Sequence, residues 1–385
     1  MDFELSDDEQ ALADLCRDFA RNEISPVAQQ AWQDGVCPVD LLAKMGELGL
    51  LGLLVPEQWG GSPTTTVGFV AAIEQLGMAD QSIASAVQAH NTIGSLPLLR
   101  FGSDEQRERW LRPLAEGRAL GAFGLTEPDA GSDTRAISTR AVRSSDDWTI
   151  NGRKTFISNS GTEMTFGVTL LARTDGPDDE APKYGTFVVE RGTPGFEIGE
   201  KMWGIGWRSL DTRPLFFDDV VVGPEHLIGD PDLGLRQFLS TLEVGRIAVA
   251  ALSLSLAAAV LEMSLDYARQ RSQFGQPISK FQAIQFKLAD MATEIEAARL
   301  LTYRAAALRD AGKPFLQQAA MAKLKASRVA VQAASEAVQI HGGMGYMMET
   351  PVARFYCDAK VLEIGEGTSE VQRMLIARGL GLPVE

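Results

Sequence analysis

The stretch LEIGEGTSEVQRMLIARGLG, residues 362–381, places one carboxylate, Glu366, between two glycines, Gly365 and Gly367. A carboxylate flanked by residues without side chains could act as a general base toward a flat ligand that comes close. The same stretch also suits a plain turn. An acid near a helix start complements the helix dipole, Ser369 and Gln372 match a capping box, and Gly379 suits the helix stop. A second cluster, GLTEPDAGSD (124–133), gathers small, hydroxylated and acidic residues around Pro128. It reads as a surface turn, or as a cradle in which Thr126, Ser132 and the amides near Gly131 bond a polar ring or a phosphate. In ARQRSQFGQPISKFQ (268–282), Arg271 could face solvent or grip a pyrophosphate with both guanidinium prongs. The glycines of QIHGGMGY (339–346) could end a helix or let a ligand approach the backbone.

Composition narrows the ligand. The chain has 385 residues, 45% hydrophobic and 23% charged, which is ordinary for two or three globular domains. A net charge of -15 argues against nucleic acid and against an anionic membrane surface. Cys16, Cys37 and Cys357 are far apart in sequence, as are His90, His226 and His341, so neither a disulfide framework nor a metal site is expected. The acidic start MDFELSDDEQ has no signal-peptide pattern, so a reduced, cytoplasmic protein is expected. The apolar run 247–265 is long enough to span a bilayer, but its Ala and Ser content and Glu262 favour a helix buried in a bundle. No GxxxxGK[ST] or GxSxG motif occurs, and GIGWRS, GEGTSE and GMGYMM carry only two of the three glycines of GxGxxG.

The elements that must position these clusters follow an α, then β, then α order. Residues 1–121 carry helical periodicity, as in DEQALADLCRDFARNEISP, and form an N-terminal α-helical domain. Residues 122–230 turn to short β-rich runs, DWTINGRKTFIS, YGTFVVERG and RPLFFDDVVVG, and read as a central antiparallel β-barrel or sandwich. Within it Asn151-Gly152 predicts a hairpin turn, and 174–185 a polar loop. Residues 231–385 return to long helices, at 235–272, 280–311, 315–341 and 351–378, which predict a C-terminal four-helix bundle. The fold class is α+β, multidomain.

Taken together and in order, GLTEPDAGSD, NGRKTFISNS, DTRPLFFDDVVV, LEVGR, RSQFGQPISKFQ, QIHGGMGY and GEGTSEVQR resemble the acyl-CoA dehydrogenases over essentially the whole chain. The resemblance implies FAD bound non-covalently and shared across a subunit interface, in a homotetramer built as a dimer of dimers. It implies α,β-dehydrogenation of an acyl-CoA, in which a glutamate takes the α-proton and the flavin takes the β-hydride. Electron transfer flavoprotein is the implied acceptor. Residue by residue, Glu366 falls on the catalytic base. Phe123, Leu125, Thr126, Gly131 and Ser132 match the strand lining the flavin, with Ser132 also toward CoA. Phe156, Ile157 and Ser158 match the stretch that covers it, where many relatives have Trp at the place of Phe156. Arg271, Phe274, Phe281, Gln282, Gln339, Ile340, Gly342 and Gly343 match contacts to FAD from a neighbouring subunit. Thr368, Ser369 and Glu370 match the helix start near the FAD diphosphate and adenosine. Arg246, Glu243, Gly365 and Gly367 match the acyl-CoA side.

A second branch of the family places its base immediately before the arginine of the LxxxR segment; here that residue is Gly245. Gly365 departs from the Tyr of many straight-chain relatives, which implies either a pocket widened for short branched or cyclic acyl groups or another residue refilling the space. Acyl groups tethered to a carrier protein are the alternative substrate. An O₂-using oxidase and a non-catalytic flavin- or acyl-CoA-binding subunit fit less well.

Overall fold

The computed structural model describes residues 4–383 apart from 177, 178, 180 and 232. Helices occupy the first part: α1 (Asp7–Phe19), α2 (Ser25–Asp34), α3 (Val39–Glu47), α4 (Thr66–Ala79), α5 (Gln81–Ala89), α6 (Leu96–Phe101), α7 (Asp104–Gln106) and α8 (Arg112–Ala115). Local sequence fixes several starts. Ser6 and Glu9 close a capping box at α1, Thr65 caps α4, and Asp80 caps α5. A π-helical turn, His90–Gly94, follows α5 directly.

Among the described residues eight strands form the middle: β1 (Phe123–Gly124), β2 (Arg140–Ser144), β3 (Asp147–Ser158), β4 (Gly167–Arg173), β5 (Tyr184–Glu190), β6 (Phe196–Ile198), β7 (Thr212–Val222) and β8 (Leu227–Ile228). They make one sheet in the order β6-β7-β3-β2-β4-β5-β8, with β1 on β4. Most pairings are antiparallel, but β1–β4 and the Arg140–Arg173 link of β2 to β4 are parallel, so the sheet is mixed. Ile150, Val168, Leu170, Phe187, Val189 and Leu215 fill its core.

Asn151-Gly152 is not the hairpin turn. Both residues lie inside β3, at a bulge where the register against β7 shifts between Ile150 and Gly152. Gly152 has φ +150°, and a Cβ there would meet Thr139 at 2.5 Å. Asn151 instead exchanges hydrogen bonds with Asp219 of β7, at 2.9 and 2.8 Å. The β2–β3 turn comes earlier, at Ser145, whose φ is +57°. Part of the polar loop at 174–185 falls on 177, 178 and 180, outside the described residues.

The helices that follow are α9 (Gly234–Gln270), α10 (Gln282–Asp310), α11 (Leu316–His341), α12 (Pro351–Ala359) and α13 (Ser369–Gly379). A small hairpin, β9 (Ser272–Gln273) and β10 (Gln276–Pro277), joins α9 to α10. The apolar run 247–265 lies in α9, and 89% of that helix's most apolar window is buried inside the protein. Its small residues let neighbours approach closely: Ala250, Ala251 and Ala257 share one core with Ala326, Ala330 and Ala334 of α11. Phe69, Ile73 and Leu76 of α4 and Val87 of α5 belong to the same core, so the first and last helical regions pack as one hydrophobic unit.

The helix expected over 351–378 is broken in two. Between α12 and α13 lie a tight turn, Lys360–Glu363, and the Gly-Glu-Gly segment. Glu366 at φ +52° and Gly367 at φ +100° cannot continue a right-handed helix. The residue that caps α13 is Thr368, which accepts from the Val371 amide at 3.4 Å. Ser369 is not the cap; its hydroxyl is buried without a partner. Gly379 is still helical, and Gly381 adopts the left-handed conformation at φ +81°.

Candidate active site

Glu366 sits on the break between α12 and α13, held in a conformation that costs a non-glycine residue roughly 1–3 kcal/mol. The strain is retained because the next carbonyl is clamped. The Gly367 oxygen accepts from Lys323 Nζ of α11 and from Gln372 Nε2 of α13, each at 2.8 Å. Lys323 is fully buried, and burial pushes its ammonium down to about 8.

The Glu366 carboxylate points at α9. Its Oε2 is closed off from solvent and has no hydrogen-bond partner. Its Oε1 accepts from Gln88 Nε2 of α5 at 2.8 Å. Burial raises its pKa above the usual carboxylate value, and the Gln88 hydrogen bond, Lys323 and Arg246 oppose the rise. Gly245 lies directly under Oε2: a Cβ there would stand 1.7 Å away. Arg246, next on α9, is buried with its Nε unpartnered, and burial lowers its pKa while Glu243 and Glu366 counter that. Glu243 is half-buried on the same helix. The structure thus brings Glu366, Arg246, Gly245 and Gly367 together. Gln88 and Lys323 join them without any signal in their local sequence.

A second group lies on the sheet. Phe123 and Leu125 are buried, Phe123 stacking on Phe238 of α9 with ring centroids 3.8 Å apart. Thr126 is half-buried, whereas Gly131 and Ser132 are exposed, and a Cβ at Gly131 would meet nothing within 4 Å. A buried ion pair that sequence reasoning missed ties the two motifs together. Lys154 of NGRKTF donates to Glu127 of GLTEP at 2.8 Å and to the Leu125 carbonyl at 3.1 Å. Burial would raise Glu127, but Lys154, Ser138 and Thr139 hold it down at about 2. A second bulge in β3, between Lys154 and Ile157, puts Phe156 at φ +60° and leaves it 63% exposed. Ile157 beside it is buried, and Ser158 is half-buried.

A third group lies at the far end of the helices. Arg271 ends α9, some 26 residues beyond Gly245, or about 39 Å along the helix. Phe274 on the β9–β10 hairpin is 94% exposed and meets Phe281 edge-on at 6.2 Å. Gln282 and Gln339 are exposed, Ile340 is buried, and a Cβ at Gly342 or Gly343 would meet nothing within 4 Å. His341 stacks on Tyr267 at 4.3 Å, which joins this end of α11 to the Arg271 end of α9. Thr368, Ser369 and Glu370 form the start of α13, beside Glu366 in sequence.

Models of the acyl-CoA dehydrogenase N-terminal, middle and C-terminal domains match residues 6–118, 122–220 and 232–381. The chain is 47% identical over 380 residues to a probable acyl-CoA dehydrogenase of Bacillus subtilis (strain 168), covering 99% of this chain and 100% of that protein. It superposes on butyryl-CoA dehydrogenase from Megasphaera elsdenii with a TM-score of 0.95 at 41% identity, covering 99% of this chain and 100% of the other. An acyl-CoA dehydrogenase complexed with FAD from Bacillus anthracis gives a TM-score of 0.92 at 31% identity, covering 98% of this chain and 67% of that one.

Proposed function

Since the chain belongs to the acyl-CoA dehydrogenase family and is therefore an oxidoreductase, we propose that it dehydrogenates a short acyl-CoA between Cα and Cβ, with Glu366 as the base. The observation that carries this reading is the Glu366 carboxylate itself: backbone-strained, one oxygen held by Gln88, the other enclosed and unpartnered. Enclosure raises its proton affinity toward that of a useful base for a weakly acidic thioester α-proton. Arg246 and Lys323 place positive charge nearby, which favours the ionised carboxylate against the effect of burial. Gly367 would offer its amide to the thioester carbonyl, where negative charge develops as the proton leaves.

The residues fit FAD. An apolar ring needs an apolar face open to it, and Phe156 presents one on a bulge. A diphosphate suits the free amides of a helix start, and α13 begins at Thr368 and Ser369. Thr126, Gly131, Ser132, Ile157 and Ser158 would complete the face on the sheet. Bound there, FAD would supply the two-electron acceptor for the hydride that leaves Cβ. Arg271 ends α9 about 39 Å from Gly245, and it, Phe274, Phe281, Gln282, Gln339, Ile340, Gly342 and Gly343 would serve the flavin of a neighbouring subunit in a homotetramer. Electron transfer flavoprotein would then carry the electrons away.

The similarity to butyryl-CoA dehydrogenase supports a short acyl chain. Gly365 supports a branched or cyclic one. A Cβ at Gly365 would approach only the Val361 carbonyl, at 3.5 Å, so a side chain could start there without a clash. Anaerobic titration of the holoenzyme with isobutyryl-CoA, 2-methylbutyryl-CoA and butyryl-CoA tests both parts. Flavin bleaching that is faster with a branched thioester supports the widened pocket. Equal rates with branched and straight chains of the same carbon count exclude it, and no bleaching by any of them excludes a short acyl substrate.

A further inference from the structure

Gln88 is 278 positions from Glu366 in sequence, yet its amide is the hydrogen-bond donor on that carboxylate. Its backbone is pinned on both sides. Upstream, Asp80 caps α5 by accepting from the Ile83 amide at 2.8 Å and pairs with Arg354 of α12. Downstream, His90 Nδ1 accepts from the Gly121 amide at 3.1 Å, so Nε2 carries the proton and faces the Leu51 and Leu114 carbonyls at 3.0 and 3.1 Å. Asn91 donates to the Leu50 and Val87 carbonyls at 2.9 and 3.0 Å and accepts from the Leu53 amide at 2.9 Å. The side chain therefore projects from a fixed turn.

Its amide has one sensible orientation. Thr92 Oγ1 donates its proton to the Gln88 carbonyl at 2.8 Å, so what it offers Gln88 Nε2, at 3.0 Å, is a lone pair. Both N–H groups of Gln88 are then spent, one on Thr92 and one on Glu366 Oε1. Turning the amide over would set two acceptors against each other at Thr92 and again at an ionised Glu366. Thr92 thus makes Gln88 present a donor, and only a donor, to the carboxylate. Oε2 faces Gly245 with nothing bonded to it.

We propose that Gln88, its amide oriented by Thr92, is a positioning residue that holds Oε1 of Glu366 and so fixes the carboxylate that receives the substrate's α-proton. The proposal rests on the reading of Glu366 as the base. The step balances. The Cα–H bond breaks, its proton forms an O–H bond on the Glu366 carboxylate, and its electron pair becomes the second Cα–Cβ bond. The Cβ hydrogen departs as hydride to the two-electron acceptor of the family's reaction. The donor favours the ionised carboxylate and so offsets burial. The charged groups around the site are Arg246 and Lys323, which face Glu366, together with Glu243 beside Arg246 and Glu363 and Glu370 toward Lys323. None of these is altered by a change at Gln88.

The test measures kcat/KM for a short acyl-CoA against pH in the holoenzyme, for the parent, Gln88→Met and Thr92→Val. Methionine keeps the bulk and loses the donor. The expected result is an acid limb moved upward, with Gln88→Met down about tenfold or more near about pH 6 and recovering toward about pH 9, since one pKa unit is tenfold. Thr92→Val moves it the same way by less. An equal loss at every pH, or no loss, overturns the proposal. Unfolding stability gives a second reading. Losing the donor raises the folded pKa of Glu366 further above the unfolded one, so the stability gap between Gln88→Met and parent widens as pH rises above the unfolded value. That widening must vanish in Gln88→Met/Glu366→Gln; if it persists, another group is responsible and the proposal fails. An inactive Glu366→Gln with a pH-independent Gln88→Met removes this proposal alone. A Glu366→Gln as active as the parent removes the base itself.

Discussion

A Cβ built on Gly245 would stand 1.7 Å from Oε2 of Glu366, far inside contact distance. The helix position expected to carry the base in the family's other branch is here Gly245, the floor under the proposed base Glu366. The two arrangements exclude each other sterically in this chain. Gly245→Ala is therefore expected to displace the carboxylate and lower kcat by about 10²-fold or more, the scale of a lost general base, with little change in folding. Steady-state kinetics beside a thermal melt check this; an Ala variant with parental kcat would show that the carboxylate tolerates the shift.

Glu366 also makes a stability prediction. Its folded pKa lies above its unfolded value because of burial. In that window the folded state binds more protons than the unfolded chain, so stability falls as pH rises. Glu366→Gln should therefore be more stable than the parent near about pH 8, with the difference shrinking toward about pH 4. Denaturant unfolding at several pH values reads it directly.

Asp358 makes a similar prediction elsewhere. It is fully buried, accepts from Trp32 Nε1 at 3.0 Å and from the Trp207 amide at 2.6 Å, and leaves Oδ2 unpartnered. Burial and nearby Asp80 raise it to about 7, against the pull of Arg354. Stability is lost as pH rises from the unfolded carboxylate value through about 7. Asp358→Asn keeps an oxygen for Trp32 and Trp207 and loses the charge. It should gain on the order of 1–4 kcal/mol at about pH 8, at about 1.4 kcal/mol per pKa unit, and nothing at about pH 4.

Breaking the Lys154–Glu127 pair should be costly, because it strands a buried charge. Lys154→Met is expected to lose about 3–5 kcal/mol in unfolding experiments. It should also lower the FAD content of purified protein, since the pair ties GLTEP to the strand bearing Phe156. Parental stability would show that Ser138 and Thr139 alone satisfy Glu127.

Gly365→Tyr should fold, because its backbone is not in the left-handed region and its Cβ position is free of clashes. It is expected to cut kcat/KM for 2-methylbutyryl-CoA at least about tenfold more than for butyryl-CoA, the scale of one misfitting methyl group. An equal effect on both would place Gly365 outside the acyl pocket wall.

The order of helical and β regions was legible because hydrophobic period reports it directly. The stretch around Glu366 suited a plain turn as well as a base, and only its resemblance to the family's GEGTSEVQR motif singled out the carboxylate. Other features were not. Asn151-Gly152 has the composition of a turn but serves a bulge, a choice made by its partner strand β7 through Asp219. The 351–378 helix pattern hid a break, since the apolar period on both sides survives it. Gln88 and Lys323 were missed because their roles come only from partners at distant positions, Glu366 and Gly367. Nothing in SAVQAHN or MAKLKAS marks an active site.

The most direct test of the central claim is anaerobic mixing of FAD-loaded Glu366→Gln with the best short acyl-CoA, following the flavin absorbance beside the parent. The account predicts that the parent bleaches and that the variant binds the thioester but bleaches at least about 10²-fold more slowly. Bleaching of the variant at the parental rate would contradict it, and would place the base elsewhere.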